Sequence, residues 1–116
     1  MTTTPCMQHL AVRTVFTERQ ATLVIRGEVD ICTAPEVERA LGEALNQRPE
    51  RLVLDLGRVD YIDCASLRVL AAAGRALPGR EKAVIRRPSQ AVRRVLELTG
   101  MSDCFLSEPG SRTAAG

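Results

Sequence analysis

Aromatic side chains are nearly missing from this 116-residue chain, which has two Phe, one Tyr and no Trp. That scarcity leaves little for stacking against bases or sugars and requires a core of aliphatic residues. Histidine occurs once, as His9, near the N-terminus and without an obvious cysteine partner. The four cysteines follow neither a Cys-x-x-Cys repeat nor a Cys/His spacing of the zinc type, so no metal site is expected. Gly57 stands alone rather than in a glycine-rich loop ahead of a helix, and no phosphate-binding cofactor motif is present. No apolar run approaches the roughly 20 residues needed to cross a bilayer. The first residues also lack the charged-then-apolar pattern of a secretory signal. A cytoplasmic location without membrane insertion is the expectation.

Apolar residues make up 45% of the chain and charged residues 26%, which is ordinary globular usage. A chain of this length makes one domain that buries about two thirds of its unfolded surface. The net charge is only +2. It is unevenly spread: nine acids face four arginines from Glu28 to Asp63, whereas eight bases face two acids from Cys64 to Gly100. Such a split either steers a charged partner or intermixes on solvated helix faces. Arg86-Arg87 and Arg93-Arg94, without aromatics or a strongly basic total, do not make a nucleic-acid surface, so no direct nucleic-acid partner is expected.

Hydrophobic periodicity yields the order β-β-α-β-α-β-α. Leu10, Val12, Thr14 and Phe16 alternate, Glu18-Arg19-Gln20 turns the chain, and Thr22 to Arg26 reads as an antiparallel partner. Thr33 is placed to cap a helix, with Pro35 in its first turn and Glu36 three residues on; Val37, Leu41, Ala44 and Leu45 form its apolar face, ending near Gln47. Leu52 to Leu56 is a strand covered on both faces. Leu67, Leu70, Ala71, Gly74 and Leu77 recur at helical spacing, and Pro78-Gly79 ends that helix. Ala83-Val84-Ile85 is a short strand, and Ser89 caps a last helix that Gly100 terminates, with Met101 folding back on it. The fold class is therefore α/β: a single domain over residues 8–108, with a mixed β-sheet and helices packed on it. Residues 1–7 and 109–116 are expected to be mobile tails.

The densest information lies at Val59-Asp60-Tyr61-Ile62-Asp63-Cys64-Ala65-Ser66-Leu67-Arg68. Asp63 suits an N-cap, because its carboxylate can accept from free backbone N–H groups of the first turn. Cys64 and Ser66 then fall in that turn, where unpaired donors and the helix dipole favour a phosphate or a thiolate. If the strands ending at Asp30 and near Ile62 lie in one sheet with their C-terminal ends together, Asp30 and Cys32 come to lie beside Asp63, Cys64 and Ser66 at one rim. Arg68 is expected to be exposed between Leu67 and Val69.

This segment resembles the signature of STAS domains, the fold of bacterial anti-sigma factor antagonists, in which a strand leads into a pattern close to Ile-Asp-Ser-Ser/Thr-Gly-Leu. Upstream, Ile25-Arg26-Gly27-Glu28-Val29-Asp30 with Thr33-Ala34-Pro35 is similar to the family's Gly-Glu-Leu-Asp and following helix start. The resemblance covers roughly Leu10 to Leu106. It implies a non-enzymatic protein that binds an anti-sigma factor, commonly a kinase of the histidine-kinase-like ATPase fold, and releases the sigma factor by partner switching. By resemblance, Asp30 matches the first-loop acid and Asp63 the acid before the phosphosite. The partner-binding set is then Asp30, Cys32, Thr33, Asp63, Cys64, Ser66 and Arg68. Cys64 stands at the position of the phosphorylated Ser, Ala65 at the next hydroxyl position, and Ser66 at the usual Gly. A thiol is no substrate for an ordinary Ser/Thr kinase, so Ser66 becomes the stand-in regulatory hydroxyl and Cys64 a candidate redox switch. The family also contains stand-alone subunits of membrane transporters, such as the partner of a lipid-transporting ABC ATPase.

Cys6, Cys32, Cys64 and Cys104 in a reducing compartment would be four unpaired thiols. The sharper alternative is a redox-sensing Cys64 that pairs with Cys32 or Cys104. A thiol enzyme is disfavoured: a Cys-x5-Arg phosphatase loop starting at Cys64 needs Arg at position 70, which is Leu70.

Overall fold

The computed structural model describes residues 10–108. The expected tails 1–7 and 109–116, together with Cys6 and His9, lie outside the described residues. The chain runs β1 (Leu10–Thr17), β2 (Gln20–Val29), α1 (Ala34–Asn46), β3 (Arg51–Ile62), α2 (Cys64–Gly74), β4 (Val84–Arg86), α3 (Gln90–Thr99), a 3₁₀ turn (Met101–Cys104) and β5 (Leu106–Ser107). The five strands form one sheet in sequence order. β1 pairs antiparallel with β2, and the remaining neighbours are parallel.

The expected hairpin is present, with the chain reversing so that Thr17 pairs with Gln20. Each later parallel pair requires a crossover, and a right-handed crossover repeated in one direction across a sheet places the connecting helices on one face. Accordingly Val37 and Leu41 of α1, Leu67 and Leu70 of α2, and Val92 and Leu96 of α3 join a single apolar cluster with Leu23, Ile25, Leu54 and Leu56 of the sheet. Alternate residues point the other way. Among them Asp55 is buried beneath an ion pair from its Oδ2 to Arg87 Nη2 at 2.9 Å, while its Oδ1 accepts from the Gly57 N–H at 3.2 Å.

Three departures from the sequence reading have physical causes. The Leu52–Leu56 run is the middle of a longer β3 that reaches the strand end expected near Ile62, because parallel pairing with β2 resumes beyond two register shifts; Val59 and Ile62 remain buried while Arg58, Asp60 and Tyr61 face outward. That 1-4 spacing breaks simple alternation and hides the strand. β5 escapes the sequence reading because two residues carry no period, and its place is set by pairing with β4. Helix α2 ends at Gly74, ahead of Pro78-Gly79. At Gly74 the backbone of the following segment packs so closely that a Cβ would lie 2.6 Å from Ala83 N and 2.7 Å from Glu81 O.

The ends of α2 and α3 fall where capping places them. Asp63 and Ser89 cap α2 and α3, accepting from the N–H groups of Ser66 and Val92, and Gly100 ends α3 at φ +71°. Met101 packs against the core. Beyond β5, Arg86 donates to Glu108 through Nε and Nη2 at 2.7 and 2.9 Å. This forked hydrogen bond holds the Glu108 carboxyl below its ordinary value of 4.5.

Two outcomes follow from this packing. Gly74→Ala forces two backbone segments apart and costs about 1–3 kcal/mol by urea denaturation. Because the Glu108 carboxyl is depressed in the folded state, its contribution is complete above the ordinary value and fades as pH falls through the lowered one. Glu108→Gln should therefore lose about 0.5–1 kcal/mol at neutral pH and show a shallower acid limb in the same assay.

Candidate functional site

The parallel ladder between β2 and β3 ends with Val29 opposite Ile62. One further rung follows, in which the Asp63 N–H donates to the Val29 carbonyl oxygen at 3.2 Å. The turn after β2 and the first turn of α2 are thereby fixed side by side, and Asp30 and Asp63 are neighbours at one rim of the sheet.

Each acid organises its own backbone. Asp63 is extended (φ −95°, ψ 170°), and its Oδ1 accepts from the Ser66 N–H at 2.8 Å. Asp30 Oδ1 accepts from the Cys32 N–H at 2.9 Å and the Thr33 N–H at 3.1 Å, while the Asp30 N–H donates to Thr33 Oγ1 at 3.0 Å. This reciprocal pattern is that of a capping box, opened by Asp30 and closed by Thr33. It corrects the expectation that Thr33 caps α1 directly: Thr33 has helical backbone angles and makes no side-chain cap bond to the helix. Its hydroxyl instead donates to the Glu28 carbonyl oxygen at 2.8 Å. Oδ2 of each aspartate accepts no hydrogen bond from the described residues. Both carboxylates thus hold a turn with one oxygen only.

The seven residues read from the sequence as partner-binding separate by exposure. Cys32 and Arg68 are exposed, and Asp30, Asp63 and Cys64 are half-buried at the rim. Thr33 and Ser66 are buried, 2% and 4% exposed. They are corrected to structural roles, and Ser66 is withdrawn as a stand-in for the phosphorylated residue, because a kinase cannot reach its hydroxyl in the folded chain. The cause is the rotation of α2, which turns Ser66 inward with Leu67 and Leu70 and leaves Ala65 outside.

The thiols need a correction as well. Cys32 is disulfide-bonded, which overturns the expectation of four unpaired cysteines, whereas Cys64 and Cys104 are free. Neither pairing imagined for a Cys64 redox switch, with Cys32 or with Cys104, is made in this state.

Two rim residues escaped the sequence reading. Ile31, between Asp30 and Cys32, is 83% exposed, and Tyr61, paired with Glu28, is 51% exposed. Ile31 was legible in principle, since a turn whose polar groups bond inward leaves its apolar member outside. Tyr61 extends the rim into a groove with Asp60, Ile62, Gln90 and Arg94, bringing the basic third helix beside the acidic loops. The charge split along the sequence is therefore intermixed here. Among the described residues no group of three or more His, Cys, Asp or Glu is placed to hold a metal, and no helix is long and apolar enough to cross a membrane.

A sheet of this order, with an acid-capped helix beside an acid-capped turn, is a STAS architecture. The family model described as "Mlab, STAS domain" matches residues 12–108, and the chain belongs to the STAS family. It is similar to the anti-sigma-F factor antagonist RsfB of Mycobacterium tuberculosis, 33% identical over 85 residues that cover 73% of this chain and 70% of that protein. The anti-sigma-B factor antagonist of Listeria monocytogenes is 37% identical over 84 residues, covering 70% of this chain and 72% of its own. Among solved structures, an anti-sigma factor antagonist from Mycobacterium paratuberculosis superimposes with a TM-score of 0.74 at 29% identity, over 86% of each chain.

The double use of Asp63 predicts a separation of effects. Asp63→Ala loses the cap and about 1 kcal/mol, whereas Asp63→Asn, an equally good cap, keeps the melting temperature near that of the parent. Thermal denaturation of the two variants side by side checks this.

Proposed function

We propose that the chain is an anti-sigma factor antagonist that works by binding rather than catalysis. Its rim, formed by Asp30, Ile31, Cys32, Tyr61, Asp63, Cys64 and Arg68, docks on an anti-sigma factor of the histidine-kinase-like ATPase fold and displaces the sigma factor held there. The observation that carries this reading is the junction at Val29 and Asp63, where two capped turns each offer a free carboxylate oxygen beside an exposed apolar side chain. Fixed acceptors next to Ile31 and Tyr61 suit a partner that presents N–H or guanidinium donors around an apolar patch. Preformed turns keep the ordering cost of association low. The relatives named above, all anti-sigma factor antagonists, support the same choice.

Control enters through Cys64. It is half-buried at the first position of α2, beside Asp63, so an oxidised or otherwise modified sulfur would place bulk and charge at the centre of the docking rim. Partner switching needs only a difference in affinity between the two forms of the protein. Action without direct nucleic-acid contact, in the cytoplasm, belongs to the same proposal.

A second reading is favoured by one observation, the description of the matching family model as Mlab. On that reading the chain is a stand-alone STAS subunit of a membrane transporter. Affinity purification from native cells separates the two: recovery of a histidine-kinase-like ATPase is expected, and a permease complex would overturn the proposal.

With the partner in hand, Asp63→Asn should weaken binding by roughly tenfold at unchanged stability, the effect of one lost charge-assisted hydrogen bond. Cys64→Asp should weaken it at least as much, while Cys64→Ser binds like the parent and loses any difference between oxidising and reducing buffer. Calorimetric titration reads each; equal affinity for Cys64→Asp and parent would remove Cys64 from the rim.

A further inference from the structure

On the face of the sheet away from the helices, β2 and β3 bring two arginines directly opposite each other: Arg26 pairs with Arg58. Both are exposed, and neither makes an ion pair or a side-chain hydrogen bond among the described residues. Like charges facing each other across a strand pair destabilise a sheet. Arg86 and Arg87 are matched with Glu108 and Asp55, whereas Arg26 and Arg58 are set face to face across the ladder with no acid between them. The unmatched pair therefore calls for a reason.

Its setting supplies one. The ladder shifts register between Val24 and Arg26 and again between Gly27 and Glu28, and Gly27 adopts φ +104°. Irregularities of this kind re-aim side chains and free backbone groups beside binding sites. Arg26, Gly27, Gly57, Arg58 and Asp60, with Leu10 and Ala11, line one open depression of about 660 Å³. A planar guanidinium presents paired N–H donors that match the oxygens of a phosphate, and two of them together suit a dianion. Asp60, on the same depression and bonded to neither arginine, is an acceptor for a hydroxyl group.

We infer that this depression binds a small phosphorylated polyol, with its phosphate held between Arg26 and Arg58 and a neighbouring hydroxyl donated to the Asp60 carboxylate. No chemical step is involved. The site does not depend on the docking proposal, since its arginines lie outside the rim, although Asp60 also borders the groove beside Tyr61. It does lie on the two strands that run on to the rim, three residues short of Asp30 and Asp63 respectively from Gly27 and Asp60.

The test is a titration of the isotopically labelled chain with glycerol 3-phosphate and with inorganic phosphate, following backbone amide signals. Saturable shifts at Gly27, Gly57 and Arg58 are expected, with tighter binding of glycerol 3-phosphate than of phosphate. The double variant Arg26→Gln, Arg58→Gln should lose at least roughly tenfold in affinity. Arg75→Gln, remote from the depression, should bind like the parent. Asp60→Asn should erase the preference for the polyol while leaving phosphate binding in place. The amide spectrum reports whether each variant is folded, and the single arginine variants serve if the double one is not. Vesicles containing phosphatidylglycerol form a second arm: binding to them that is lost in the double variant identifies a lipid headgroup as the source of the same chemistry. Absence of saturable shifts below about 10 mM for both soluble ligands, together with no arginine-dependent vesicle binding, overturns the inference. Equal binding by the double variant and the parent overturns it too.

Discussion

The parallel pairing of β2 with β3 is the constraint on which the rest depends. A parallel pair cannot be closed by a tight turn, so α1 must cross over the sheet between them. The crossover returns the chain with the C-terminal ends of both strands at one edge. The last rung, from the Asp63 N–H to the Val29 carbonyl oxygen, then ties the entry of α2 to the exit of β2. Residues 34 positions apart in sequence become immediate neighbours through a backbone hydrogen bond.

The chemistry of the rim follows from how few acceptors it takes to secure it. Three backbone N–H groups are satisfied by one oxygen from each of two aspartates, leaving the second oxygen of each carboxylate without a hydrogen bond from the described residues. On the docking proposal, folding and recognition draw on the same side chain without competing for the same atom. The turns that carry Ile31 and Cys64 are held by these bonds, so a partner docking as proposed would meet an ordered edge instead of having to organise it.

Much of this was legible in the sequence because it is local. Caps at Asp63 and Ser89, the left-handed Gly100 and the helical face of α2 rest on contacts within four residues, and each was found. The capping box at Asp30 was missed by three residues, because a Thr before Ala-Pro is an ordinary helix start and only the coordinates reveal that its hydroxyl is turned toward the Glu28 carbonyl oxygen. Only Leu52 to Leu56 of β3 is legible by pattern, because register shifts beyond it replace alternation by a 1-4 spacing that no period describes. Ser66 was assigned to the surface because a cap tells where a helix begins but not how far it is rotated about its axis.

The sequence by itself determined the class of fold, the order of nearly all its elements and the two acidic loops that matter, since periodicity and capping are written in short stretches of chain. Burial was decided by the tertiary structure. Packing of α2 against the sheet hides Ser66 and leaves Cys64 at the edge, and the sheet register sets Arg26 against Arg58. Exposure and cross-strand register are properties of surfaces that meet only when the chain is folded, and no local pattern encodes them.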